Sequence, residues 1–155
     1  MSGLESLYQD LILDHSKHPH GFGLAEAEGR SAESHQRNPV CGDEITLRVR
    51  LSGDAGDVVR DVTWEGQGCS ISQASASMLA VLLAEENRMP RAEASSLIDA
   101  FRTALRSRGE IPLDEERFGD AAALSGVSKY TARVKCAMLA WVALEDALAR
   151  ASLPA

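Results

Sequence analysis

The chain has 155 residues, 45% of them hydrophobic, enough to bury the core of one ordinary domain without disulfide or metal support. A formal net charge of −7 and a pI near 5.1, with no basic stripe to offset the acidic total, argue against nucleic acid or an anionic membrane as the main partner. The first residues lack a cationic stretch followed by an apolar one, and no segment approaches the length of a membrane span, so a cytoplasmic location is expected.

Leu4, Leu7, Tyr8, Leu11 and Ile12 recur at spacings of three and four, which predicts an amphipathic helix ending near Pro19. His15, His18 and His20 follow closely enough to suggest a metal cluster, although polar and cationic groups at a helix C-terminus are expected for dipole reasons alone. Residues 21–36 show no firm periodicity and read as an irregular excursion, with at most a weak edge strand before Asn38.

In Asn38-Pro39-Val40-Cys41-Gly42-Asp43 a thiol and a carboxylate stand two residues apart across a glycine. Pro39 drives Asn38 into an extended conformation and Gly42 permits angles that other residues resist, so both side chains could aim at one point. Strict alternation then begins, with Ile45, Leu47, Val49 and Leu51 on one face, predicting a half-buried strand that Cys41 and Asp43 precede. Residues 52–57 supply turn chemistry, and residues 58–65 return as a second strand with Val62 and Trp64 facing alike. This hairpin brings Cys69, which follows it, to the sheet edge where Cys41 and Asp43 lie.

A helix is predicted over 71–85 from the spacing of Ala74, Met78, Val81 and Leu82, capped by Ser70 or Ser72. Cys69 at its start would meet unsatisfied amides and the positive end of the macrodipole, which favour thiolate. Pro90 opens another helix with Leu97, Ile98, Phe101 and Leu105 on one face and an expected end at Gly109. Residues 110–127 read as an elaborated acidic connection with a short helical turn around Glu115. A final helix from about Tyr130 to Ala151 carries Ala137, Trp141, Leu144 and Leu148 on its core stripe, with Arg133 and Cys136 sharing a neighbouring face. No linker interrupts the chain, so residues 1–155 are expected to form a single domain.

The three widely spaced cysteines cannot all pair with one another, and their bland reading is three unrelated buried thiols. If Cys41, Asp43, Cys69 and Cys136 converge, they form a tetrahedral set suited to Zn²⁺ or to an iron–sulfur cluster. Arg133 and Lys135, flanking Cys136, could offset its negative charge.

The stretches Asn38–Asp43, Gly66-Gln67-Gly68-Cys69-Ser70-Ile71-Ser72 with 74–77, and Arg133-Val134-Lys135-Cys136-Ala137 with Trp141 together resemble the SufU branch of the IscU-like iron–sulfur cluster assembly family, in the family's order and over essentially the whole chain. The resemblance implies an α+β fold, a small antiparallel sheet covered by helices, and a zinc site of Cys41, Asp43, Cys69 and Cys136. It implies a sulfurtransferase that accepts persulfide sulfur on Cys41, with Arg133 assisting. The donor would be a pyridoxal-phosphate-dependent cysteine desulfurase of the SufS type, and SUF scaffold proteins would lie downstream. IscU-type scaffolds carry histidine just before the third cysteine, whereas this chain has Lys135, which favours the sulfurtransferase over the alternative of a scaffold binding a nascent iron–sulfur cluster. Thr131 stands where SufU-like sequences often have proline and leaves the start of the last helix open.

Overall fold

In the computed structural model residues 3–27, 29–39, 42–52 and 56–151 are described, with side chains from residue 6 onward. The elements are α1 (Gly3–Lys17), β1 (Ser31–Asn38), β2 (Asp43–Ser52), β3 (Val58–Gln67), α2 (Ser70–Leu82), α3 (Arg91–Leu105), α4 (Glu115–Phe118) and α5 (Thr131–Ala151). Short 3₁₀ segments occupy Glu85–Asn87 and Gly119–Lys129. The strands form one antiparallel meander in the order β1-β2-β3, with helices packed against it, the expected α+β architecture.

The alternation in β2 buries Ile45, Leu47, Val49 and Leu51 against the helices. In β3 the register slips between Arg50 and Leu51, so that Val49 faces Val62 while Leu51 faces Val59. One extra residue on β3 therefore lets Val59, Val62 and Trp64 all reach the core, which simple alternation would forbid. Each such fully buried large side chain contributes about 1.5–3 kcal/mol. Among the described residues no helix is long and apolar enough to cross a membrane.

Four sequence expectations need correction. The 21–36 excursion contains a full eight-residue edge strand, paired with β2 from Ser31↔Arg50 to Asn38↔Asp43. Its inward positions are Ala32, Ser34, Gln36 and Asn38, so it has no apolar alternation to read. Ser34 holds it to α5 by donating to Asp146 Oδ2 at 2.7 Å, and with Arg150 this keeps the Asp146 carboxyl below its ordinary range. Second, Asp43 does not precede β2 but is its first residue, facing inward with Ile45. Third, neither serine caps α2: Cys69 occupies the N-cap position in extended geometry, without a side-chain cap bond, and the helix ends at Leu82, not Glu85. Fourth, α3 ends at Leu105, with Gly109 at φ +87° beyond it, and the 110–127 connection is largely structural. Ala121, Ala122, Ala123, Leu124 and Val127 in its 3₁₀ segment are all buried.

The histidine run also resolves. His15 is 3% exposed, with Nδ1 2.7 Å from Ser77 Oγ and Nε2 2.9 Å from Asp120 Oδ2. Ser77 Oγ also accepts the His20 amide at 2.8 Å. The cluster has the composition of a nucleophile triad, but Ser77 is fully buried and the bonds tie α1 to α2 and to the 119–129 segment.

Helix α5 is the central element. Trp141 stacks on Phe101 of α3 at 3.9 Å with the planes 6° apart, and Phe118 leans against both rings. The Trp141 indole N–H donates to Ser75 Oγ at 3.0 Å, and that hydroxyl donates to the Ala137 carbonyl at 2.6 Å. This fully buried serine thereby fixes the register of α2 against α5. Ser75→Ala should cost about 1–3 kcal/mol, because it leaves a buried indole donor without its acceptor. The loss should appear as a lower denaturant midpoint at unchanged slope, and an unchanged midpoint would show that the bond does not hold the two helices.

Candidate metal centre

The geometry starts from the β-hairpin. Glu44 pairs with Gln67, so β2 begins beside the end of β3, and one residue further on the chain turns at Gly68 into α2. Asp43, 2% exposed, points under that turn, and its Oδ1 accepts the Cys69 amide at 3.0 Å. Its second oxygen, Oδ2, lies 3.8 Å from Cys69 Sγ. The carboxylate thus spends one oxygen on the orphan amide of a helix start and presents the other to the thiol.

Cys136 arrives from the other side, in the second turn of α5 and completely buried. Ligand atoms of Asp43, Cys69 and Cys136 all lie within 4.8 Å of one another. In a tetrahedral zinc site with Zn–S of about 2.3 Å and Zn–O of about 2.0–2.2 Å, ligand atoms stand roughly 3.5–4 Å apart. The 3.8 Å between Cys69 and Asp43 already matches that spacing, and a small contraction brings in Cys136. Two sulfurs and a carboxylate oxygen are a donor set of the kind zinc accepts. The residues present therefore fit a metal of zinc type.

Three of the four expected ligands are brought together. The fourth, Cys41, lies outside the described residues, as does Val40. On either side of them the chain is fixed: Asn38 pairs with Asp43, and Gly42, at φ +74°, donates its amide to the Asn38 carbonyl at 2.8 Å. Arg133 is exposed on the first turn of α5, three residues before the buried Cys136. Lys135 is also exposed, and neither cation has an ion-pair partner among the described residues.

Two participants are not evident from residue type. Ser72 Oγ sits 3.9 Å from Cys69 Sγ and donates to the Cys69 carbonyl at 3.0 Å, so its hydroxyl faces the centre instead of capping the helix. Gly68 is required by contact: a Cβ there would fall 2.6 Å from Asp43 Oδ1 and 2.4 Å from Ser72 Oγ. Both lie in the Gly66–Ser72 stretch that carries the family resemblance, whose Gly-x-Gly-Cys spacing marks a tight corner without saying what fills it.

Gly68→Ala should displace the Asp43 carboxylate and lower zinc affinity by about tenfold or more, the scale found when a partner orienting a ligand is removed. Competition with a chromophoric chelator measures this, with far-UV circular dichroism as the control for folding. Wild-type affinity in a folded Gly68→Ala protein would mean that the carboxylate need not sit where the hairpin holds it.

The family model for the NifU-like N terminal domain matches residues 7–149. The zinc-dependent sulfurtransferase SufU of Bacillus subtilis is 38% identical over 149 residues, covering 96% of this chain and 94% of that protein. The iron–sulfur cluster assembly scaffold protein IscU of Streptococcus pyogenes is 37% identical over 152 residues, covering 98% and 89%. A crystal structure from Fervidobacterium islandicum, described as a candidate iron–sulfur cluster assembly scaffold protein for a SUF system, superposes with a TM-score of 0.74 at 32% identity, covering 93% of this chain and 98% of that one. With the fold, the convergent Asp43, Cys69 and Cys136, and relatives along nearly its whole length, the chain belongs to the NifU-like N-terminal domain family, the group of the IscU and SufU proteins.

Proposed function

We propose that the protein is a zinc-dependent sulfurtransferase of iron–sulfur cluster assembly, taking persulfide sulfur from a cysteine desulfurase onto Cys41 and passing it on. The observation that carries this reading is Lys135. Its side chain is exposed and outside the cluster of Asp43, Cys69 and Cys136, and an ammonium has no lone pair to offer a metal at neutral pH. The position before Cys136 thus supplies no imidazole of the kind a scaffold would use, and we take Cys41, Asp43, Cys69 and Cys136 as the donor set. The zinc-dependent sulfurtransferase among the relatives supports the same reading.

Bound zinc would hold the thiols deprotonated at neutral pH. Asp43, Cys69 and Cys136 would hold it, from a strand start, a helix N-cap and a buried helix turn. Cys41 stands between Pro39 and Gly42 in the sequence, and we assign it as the thiolate that accepts sulfur. It attacks the terminal sulfur of the donor's persulfide. The donor's S–S bond breaks, its cysteine departs as thiolate and takes up a proton, and Cys41 carries the new persulfide. Arg133, exposed one turn before Cys136, assists electrostatically by stabilising the anionic sulfur in transit.

Protein incubated with a cysteine desulfurase, pyridoxal phosphate and cysteine should gain one reductant-labile sulfur on the peptide containing Cys41. Cys41→Ala should fail to stimulate desulfurase turnover, whereas Asp43→Ala should lose zinc without moving the sulfur elsewhere. Persulfide found mainly on Cys69 or Cys136, with an active Cys41→Ala protein, would sink the assignment. Iron with matching sulfide in the purified protein, in place of zinc, would favour the scaffold reading, which the name of the Streptococcus pyogenes relative keeps in view.

A further inference from the structure

Between the end of β1, the C-terminal turn of α3 and the first half of α5 lies a groove of about 620 Å³. Its floor is apolar, made by Leu105, Val134, Met138, Leu139 and Val142. Its rim reverses the charge of the molecule. The whole chain has 16 lysines and arginines against 23 aspartates and glutamates, but the groove is lined by Arg37, Arg102, Arg106, Arg108 and Lys135 against Glu145 alone. Arg102 and Glu145 neutralise each other at 2.7 Å. Arg37, Arg106, Arg108 and Lys135 are exposed and make no ion pair among the described residues. Four like charges around one opening repel one another and gain only from an acidic occupant.

The groove also abuts the metal centre. Lys135 immediately precedes Cys136, and Asn38 and Pro39, which form part of the wall, lead into the loop that carries Cys41. A basic rim around an apolar floor matches the usual layout of a protein interface, dry in the middle and polar at the edge, and differs from a small-anion site, whose floor would be polar.

We propose that this groove is the docking surface for an acidic segment, carrying one or more apolar side chains, of the protein that donates sulfur to the centre. The proposal rests on the sulfur-acceptor reading given above and names the surface through which the donor is recognised. The rim cations attract the acidic segment and set its orientation, the floor takes its apolar side chains, and the donor's persulfide is delivered beside Asn38 and Pro39.

The test titrates the protein against a cysteine desulfurase that it stimulates, recording the concentration for half-maximal stimulation and the plateau rate. Arg37→Glu and Arg106→Glu reverse charges on opposite walls, one on β1 and one after α3. Each should raise the half-maximal concentration about tenfold at low salt, with plateau and zinc content unchanged, and the difference should shrink as salt rises. Lys17→Glu, which makes the same change of net charge at an exposed site outside the groove, should stay within about twofold of wild type. Half-maximal concentrations unchanged in both groove variants would overturn the docking surface and leave the sulfur-acceptor function standing. A wild-type protein that neither stimulates nor associates with the desulfurase in sedimentation would overturn both. Competition by millimolar inorganic phosphate at constant ionic strength would assign the groove to a small anion, and a variant effect that tracks a dimer-to-monomer change would assign it to a second copy of this chain. Either result overturns the proposal.

Discussion

The hydrogen bond from the Cys69 amide to Asp43 Oδ1 is the constraint on which the rest of the centre depends. A helix start leaves its first amides unsatisfied, and burying them without an acceptor is costly. The acceptor here is not a local capping side chain but a carboxylate from a strand 26 residues earlier. One bond therefore satisfies a helix terminus, joins the beginning of β2 to the beginning of α2, and aims the remaining carboxylate oxygen at the Cys69 thiol. Cys69 holds the N-cap position without a side-chain cap bond of its own, so the Asp43 carboxylate is the side chain that meets its amide.

The approach of Cys136 depends on a different kind of interaction. Helix α5 has few polar anchors along its buried face and is placed by packing: Trp141 on Phe101, and alanines where it closes on its neighbours. Packing alone tolerates small slides of one helix along another, and a slide of even 1 Å would carry Cys136 away from Cys69. Ser75 removes that freedom, because its hydroxyl must reach both the Ala137 carbonyl and the Trp141 indole. It does so one residue beyond Cys136, on the helix that Cys69 begins. Directional hydrogen bonds thus lock the coordinates on which metal geometry depends, while apolar contacts supply most of the stability.

How much could be read from the sequence follows the same division. Elements with one wet and one dry face were plain: β2 through Ile45, Leu47, Val49 and Leu51, and α3 through Leu97, Ile98, Phe101 and Leu105. Elements held by polar or small residues were not. Strand β1 turns Ser34 and Asn38 inward and is secured by Asp146, a partner 112 residues away. The 119–129 segment buries a run of alanines in 3₁₀ form, whose three-residue repeat does not match the helical period used to find amphipathic stretches. Asp43, Cys69 and Cys136 were legible as candidate ligands because thiols and a carboxylate beside glycine and a helix start are chemically unusual. Ser72 and Gly68 were not, because a hydroxyl and a missing side chain acquire meaning only from what stands within a few ångströms of them.

The placement of charge completes the argument. The chain as a whole is negative, so an anionic donor approaching over the general surface would be repelled. Persulfides are acidic enough to be anions near neutral pH, so under the proposed function that repulsion would oppose sulfur delivery. The exposed cations beside the centre, Arg37, Arg106, Arg108 and Lys135, invert the local field without entering the ligand set. A cation inside the set would compete with the metal for the thiolates. Cations a few residues away, on the groove and at Arg133, can attract a donor and leave the donor atoms of Asp43, Cys69 and Cys136 available to the metal. Lysine immediately before Cys136 is then a sensible residue: its backbone continues the helix that buries Cys136, while its side chain is exposed at the groove rim.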